Sequence, residues 1–206
     1  MDLPDALSLP LMSGRPYWYW LGGRPALDLV NTLRERWWRR VETLVTPDDL
    51  GYWLVATQLL DAPEPVTVAD LSRARALREA IDAAVVAATD GRPLPAGTDE
   101  AIAAALAAAP PRDVVVLTPS GLAATVERDG TAVQRALAAL ALDAAAMLGP
   151  GELGRIRICA SETCSARFFD RSPAGRRRWC SMQECGNVEK ARRHRRRARD
   201  ERQERV

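Results

Sequence analysis

Cysteine is missing from residues 1–158 and 186–206, and histidine and lysine occur once each, at His194 and Lys190. With no histidine before position 194 and no cysteine before 159, the common catalytic constellations cannot be assembled in the first 150 residues. No acid–base pair, nucleophile–base pair or phosphate-binding loop is visible there either, so the chain reads as something other than an enzyme. Long apolar runs are scarce as well. The most apolar stretch, Ala132 to Leu148, contains Gln134, Arg135 and Asp143 and is too short and too polar to span a bilayer. The opening MDLPDALSLPLMSG has acids where a secretory signal has positive charge, and Pro10 breaks its apolar segment. A soluble, cytoplasmic protein with no membrane partner is expected. In a reducing compartment clustered cysteines favour metal over disulfide.

What is present is unevenly distributed. At 206 residues, 47% of them apolar, the chain is sized for one medium domain plus a small module. The net charge of +2 conceals an asymmetry: residues 1–150 carry 13 basic and 19 acidic side chains, whereas residues 151–206 carry 16 and 8. An acidic body with a basic end is a common layout when that end meets a polyanion.

Periodicity divides the body into helices and one β-element. Leu27, Val30 and Leu33 form one apolar stripe, predicting a helix over 26–36. Thr46 and Pro47 read as the N-cap and first position of a helix reaching about Leu60, burying Leu50, Trp53 and Leu54. A long helix over 68–89 aligns Leu71, Ala74, Leu77, Ile81 and Val85 and stops at Gly91. A short Ala-rich helix spans 98–109. The period then changes: 113–117 and 122–128 read as a hairpin around Pro119-Ser-Gly121, and 131–148 reads as a core helix. Gly149-Pro150-Gly151 reads as a linker, giving domains 1–150 and 151–206.

The second segment holds all four cysteines: Cys159-x4-Cys164, fifteen residues, then Cys180-x4-Cys185. Two close thiol pairs separated by one supersecondary unit suit a tetrahedral zinc ion, with Cys159, Cys164, Cys180 and Cys185 as ligands and one zinc per chain. Residues 155–158 and 167–169 read as a hairpin whose knuckle carries the first pair, and the second pair lies at the entry of a polar helix. That order resembles a treble-clef or ribbon-type site. The module's own core is small, with Ile156, Ile158, Phe168, Phe169 and Trp179, so metal should be needed to fold it. Reduced cysteines without metal, or a redox pair, remain the alternative.

The final helix reads KARRHRRRARDERQER from Lys190. Arg192, Arg195 or Arg196, and Arg199 fall on one face, with Arg193 and Arg197 beside it; Arg176, Arg177 and Arg178 form a second cluster. Phosphates would compensate such charge; the bland reading is a solvated helix partly balanced by Glu189, Asp200, Glu201 and Glu204. His194 reads as a solvent-facing helix residue. Trp18, Trp20, Trp37, Trp38 and Trp53, with Tyr17, Tyr19 and Tyr52, read as core, or else as an aromatic pocket for an effector near Asn31, Arg34 and Trp53.

The stretch Cys159-Ala-Ser-Glu-Thr-Cys164-Ser-Ala-Arg-Phe-Phe-Asp170, with Arg178-Trp-Cys-Ser-Met182 and Cys185-Gly-Asn187, resembles the CGNR-type zinc finger of bacterial proteins. Leu27-Asp-Leu-Val-Asn-Thr32, Asp49-Leu50 and Trp53-Leu54 are similar to the ABATE domain that usually precedes it. The two resemblances cover nearly the whole chain. They imply a stress-response transcription regulator that binds DNA through the finger, with a small-molecule effector or a second copy as partner of the first domain. A zinc-stabilised adaptor for an acidic protein, or an RNA-binding protein, is the alternative. One residue departs from the pattern: Val188 stands where the family's name calls for Arg. The expected fold class is α+β: a mainly α-helical first domain with a small β-hairpin, then a treble-clef or ribbon-like zinc finger ending in a basic helix.

Overall fold

The computed structural model describes residues 18–37 and 39–203. In chain order these form α1 (Pro25–Val30), β1 (Leu33–Arg34), β2 (Val41–Glu42), α2 (Pro47–Ala56), α3 (Val68–Thr89), α4 (Thr98–Ala107), β3 (Pro111–Thr118), β4 (Gly121–Arg128), α5 (Ala132–Met147), β5 (Ile156–Ile158), β6 (Arg167–Phe169) and α6 (Asn187–Gln203). The strands make three separate antiparallel pairs, β1–β2, β3–β4 and β5–β6. The expected α+β class is what is seen. No helix among the described residues is long and apolar enough to cross a membrane.

Local chemistry sets the helix starts. Thr46, Thr67 and Thr131 each accept from the backbone three residues on, and Asp49, Asp70 and Gln134 reach back to the cap, three complete capping boxes. α1 has no such cap of its own. Asp143 of α5 supplies one, accepting from Ala26 N at 2.9 Å and from Arg24 Nε at 3.0 Å. The core gathers Leu27, Leu29 and Val30 of α1, Leu50, Trp53 and Leu54 of α2, Leu77, Ile81 and Val85 of α3, and Val133, Leu137, Leu140 and Met147 of α5.

Two expectations are corrected here. The helix predicted over 26–36 ends at Val30, because Thr32 Oγ1 bonds back to Leu29 O at 2.6 Å and Asn31 is drawn away to a distant strand. The aromatics are not uniformly core: Trp18 and Trp53 are buried, but Trp20, Trp37 and Tyr52 are about half exposed. Tyr17 and Trp38 lie outside the described residues.

The cysteine-bearing segment packs against the body. Ile156 and Phe169 belong to the same apolar cluster as α1, α3 and α5, and Phe169 N donates to Gly22 O at 2.8 Å. Gly22 is needed where the chain turns against α1: a Cβ there would lie 2.8 Å from Asp28 N and Leu27 Cβ. Phe168 points the other way, into a second cluster with the four cysteines, Leu21 and Trp179. Alternation along one short strand thus serves two cores.

Candidate metal centre and basic helix

Cys159 leaves β5 with its N–H on Ala166 O at 2.9 Å, extending the hairpin one residue past the strands. A turn closed by Cys164 N on Ser161 O at 3.1 Å brings the second thiol back, and Ala166 N donates to Cys164 Sγ at 3.4 Å. The second pair arrives on a segment pinned to this knuckle by Ala160 N on Arg178 O at 2.8 Å. Cys185 sits in a π-turn, Met182–Gly186, that runs directly into α6. Gly186 gives the turn room, since a Cβ there would meet Met182 Sδ at 2.8 Å.

All four cysteines are buried, and their sulfurs lie within 4.8 Å of one another. Cys164 and Cys180 are 3.8 Å apart, Cys180 and Cys185 3.6 Å. Tetrahedral coordination at about 2.3 Å per thiolate requires sulfur–sulfur edges of about 3.8 Å. The four residues therefore fit one zinc ion. The donor chemistry agrees. As bare thiols they would compete for protons: hydrogen bonds from Cys164, Cys180 and Cys185 pull Cys159 down, while contacts with Cys159 and Cys164 push Cys180 and Cys185 up. A divalent cation, when bound, holds all four as thiolates.

Supporting bonds fix the loop between the pairs. Asp170, fully buried, accepts from Ser172 N at 2.9 Å and Arg177 N at 2.8 Å. Burial alone would raise its pKa, but these donors hold it down at about 2. Arg177, itself exposed, lies over the Phe168 ring at 5.1 Å and donates to Cys180 O at 2.7 Å. α6 is tied to the first knuckle by Ser161 Oγ on Glu189 at 2.8 Å and by Arg192 with Glu162 at 3.3 Å, and Arg192 also pairs with Glu189 within the helix at 3.2 Å.

The predicted basic residues divide accordingly. Arg177 and Arg192 brace the finger. Arg176, Arg178, Lys190, Arg193, Arg195, Arg196 and Arg197 are exposed, and Arg199 lies outside the described side chains. Arg192 turns toward the knuckle, so the face of α6 opposite it carries Lys190, Arg193 and Arg197, with Arg195 and Arg196 of the predicted row exposed beside them. His194 is exposed, and Val188 is half-buried at the start of α6.

Asn31, Arg34 and Trp53 are not brought together. Trp53 is fully buried in the main core. Asn31 brackets the finger: Nδ2 donates to Arg167 O at 2.9 Å, and Oδ1 accepts from Arg167 N at 2.8 Å. Arg34 is buried against Tyr19, bonding its hydroxyl. The crevice that Asn31 and Arg34 share with Cys164 and Ser165 has a volume of about 20 Å³, room for a single water.

Sequence reasoning missed the charged network behind that crevice. Arg36, Arg78 and Arg167 are all buried. Arg36 pairs with Glu79 at 2.8 Å and Asp82 at 3.0 Å, Arg167 with Asp82 at 2.6 Å, and Arg78 with Glu42 at 2.7 Å. Burial works against the charge on Arg78, but hydrogen bonds to Glu42 outweigh it and raise its pKa. At Arg167 burial prevails and the pKa falls. A signal existed: Arg78 is seven residues beyond Leu71 and four beyond Ala74, on the buried stripe of α3.

Comparison with known families agrees with this geometry. Residues 23–151 match the model of the family named ABATE, described as "Putative stress-induced transcription regulator", and residues 155–198 match the CGNR zinc finger. No curated protein matches the chain.

Proposed function

Because the chain belongs to the ABATE family and closes with a CGNR zinc finger, we propose that it is a zinc-dependent DNA-binding regulator. The observation that carries this reading is α6. Arg193, Arg195, Arg196 and Arg197 are exposed and have no ion-pair partner among the described side chains, while Arg192 and Glu189 anchor the helix beside the metal site. A rigidly launched row of unpaired arginines suits a phosphate backbone, where each neutralised phosphate releases counterions. Exposed Arg176 and Arg178 extend the same charge around the second knuckle. The body's contribution is to hold the finger through Asn31, Ser165 and the Arg36–Asp82–Arg167 pairs. The crevice beside Cys164 has room for a single water, so it is not itself an effector site. Four thiolates close a zinc coordination sphere, which favours a binding role over catalysis.

The test is fluorescence anisotropy of the zinc-loaded chain with duplex DNA across a salt series. Four or five phosphate contacts predict a slope of log affinity against log salt of about −4. Absence of duplex binding at low salt sinks the reading, and preference for single-stranded RNA or an acidic protein replaces it.

A further inference from the structure

β3 and β4 form the part of the molecule that neither the core nor the metal site uses. Their register pairs Leu117 with Leu122, Val115 with Ala124 and Asp113 with Val126, and directly paired residues share a face. Val115, Leu117, Leu122 and Val126 therefore make one largely apolar face, 66, 83, 77 and 63% exposed, with the exposed Asp113 at its rim beside Val126. The hairpin packs on no helix to any extent. It has no charged side chain from Val114 to Val126, and the pairing runs without a bulge. Natural sheets guard free edges with charge, proline or bulges, and a lone two-stranded hairpin is marginal in water. Here the guards are absent along the exposed length, with Pro111 only at the base.

The geometry points to a second copy of this chain as the occupant of that face: two hairpins stack face to face across a two-fold axis. An occupant must be apolar over Val115, Leu117 and Leu122, where the hairpin has no charge to compensate a desolvated one, while Asp113 at the rim stays in water. The same face on another copy is apolar over that stretch, sheet-like and of matching length. From these exposures the four side chains offer roughly 500 Å² per protomer, or roughly 1,000 Å² for a pair, which reaches the lower bound of specific interfaces. A two-fold contact of like on like is closed, so assembly stops at two and the face is hidden from further association.

The test is independent of nucleic acid. Light scattering and sedimentation of the full zinc-loaded chain, at up to about 100 μM because self-association follows mass action, should give twice the 22.6 kDa chain mass. Leu117→Glu with Leu122→Glu should return the chain mass at unchanged helix content and zinc stoichiometry. Leu117→Thr with Leu122→Thr keeps strand propensity, so the hairpin survives, and should weaken association at least about 100-fold. A wild-type chain that stays at 22.6 kDa overturns the proposal, including one awaiting another protein at the same face. So does a threonine variant that dimerises as well as wild type.

Discussion

Asp28 carries a titration that should be visible in stability. Burial pushes its pKa up to about 6, with Asp143 adding to the rise and the N–H of Gly22 opposing it. Below about pH 4 folded and unfolded chains both hold this proton, and the group's stabilising contribution is complete. Between about 4 and 6 only the folded state keeps it, so the contribution falls as pH rises and is gone above about 6. At neutral pH the loss is on the order of 2–3 kcal/mol, from two pKa units at about 1.4 kcal/mol each. Asp28→Asn keeps an acceptor for Gly22 and should be more stable than wild type at pH 7.5 but not at pH 4.5. Urea unfolding of the two proteins across that range is the check, and parallel profiles would refute the assignment. Arg167 makes the opposite case. Replacing it with Met leaves Asp82 to Arg36 alone inside the molecule, and breaking a buried pair this way costs about 3 kcal/mol or more. A loss under about 0.5 kcal/mol, the size expected of a surface pair, would place that pair in solvent.

At the scale of elements, whatever rests on local chemistry could be read from the chain. The Thr–x–x–Asp and Thr–x–x–Gln boxes announce α2, α3 and α5, and the run from Val68 to Thr89 is a helix end to end. The cysteine spacing announces the knuckle and the start of α6. Hidden from view was whatever one element does to another. Asn31 ends α1 because a strand 136 residues away takes both ends of its amide. Arg78, on a stripe of leucines, becomes acceptable in the interior only because Glu42 arrives from β2. The outward face of α6 follows the same rule, since Arg192 is claimed by Glu162. This yields a contrast within one helix. Arg193→Gln with Arg197→Gln should flatten the salt dependence of duplex binding by about 2 units, roughly 0.9 per lost phosphate contact. Arg192→Gln should leave that slope unchanged and instead loosen α6 from the knuckle, read as faster amide exchange at its first turns. Equal slope changes from both would mean that Arg192 faces the ligand.

For the molecule as a whole, the composition shift and the Gly149-Pro150-Gly151 punctuation suggest that zinc-dependent folding begins near residue 151, whereas the packing predicts a later start. β5 and β6 are held from two sides. Ile156 and Phe169 sit in the main core, and Arg167 is fixed by Asn31 and Asp82, none of which depends on metal. Beyond Asp170 the support changes. Residues 171–203 reach the rest of the chain through Cys180 and Cys185, through hydrogen bonds of Asp170, Arg155, Arg157 and Ala160 to the 172–178 loop and of Arg171 to Gly23, and through the Ser161–Glu189 and Arg192–Glu162 contacts. Structural zinc contributes on the order of 10 kcal/mol to such small units, more than those hydrogen bonds can replace. Chelation, or Cys180→Ser, should therefore release 171–203 while 153–170 and α1–α5 keep their amide protection. Phe168 should become more accessible, since its cover is the cysteine cluster and Arg177. Hydrogen exchange with and without chelator locates the break. Protection lost from residue 151 onward would mean an autonomous module that carries its hairpin with it. Unchanged protection after residue 171 would mean that the cysteines hold nothing. A break at Asp170 would mean that the body already owns half of the metal site before zinc arrives.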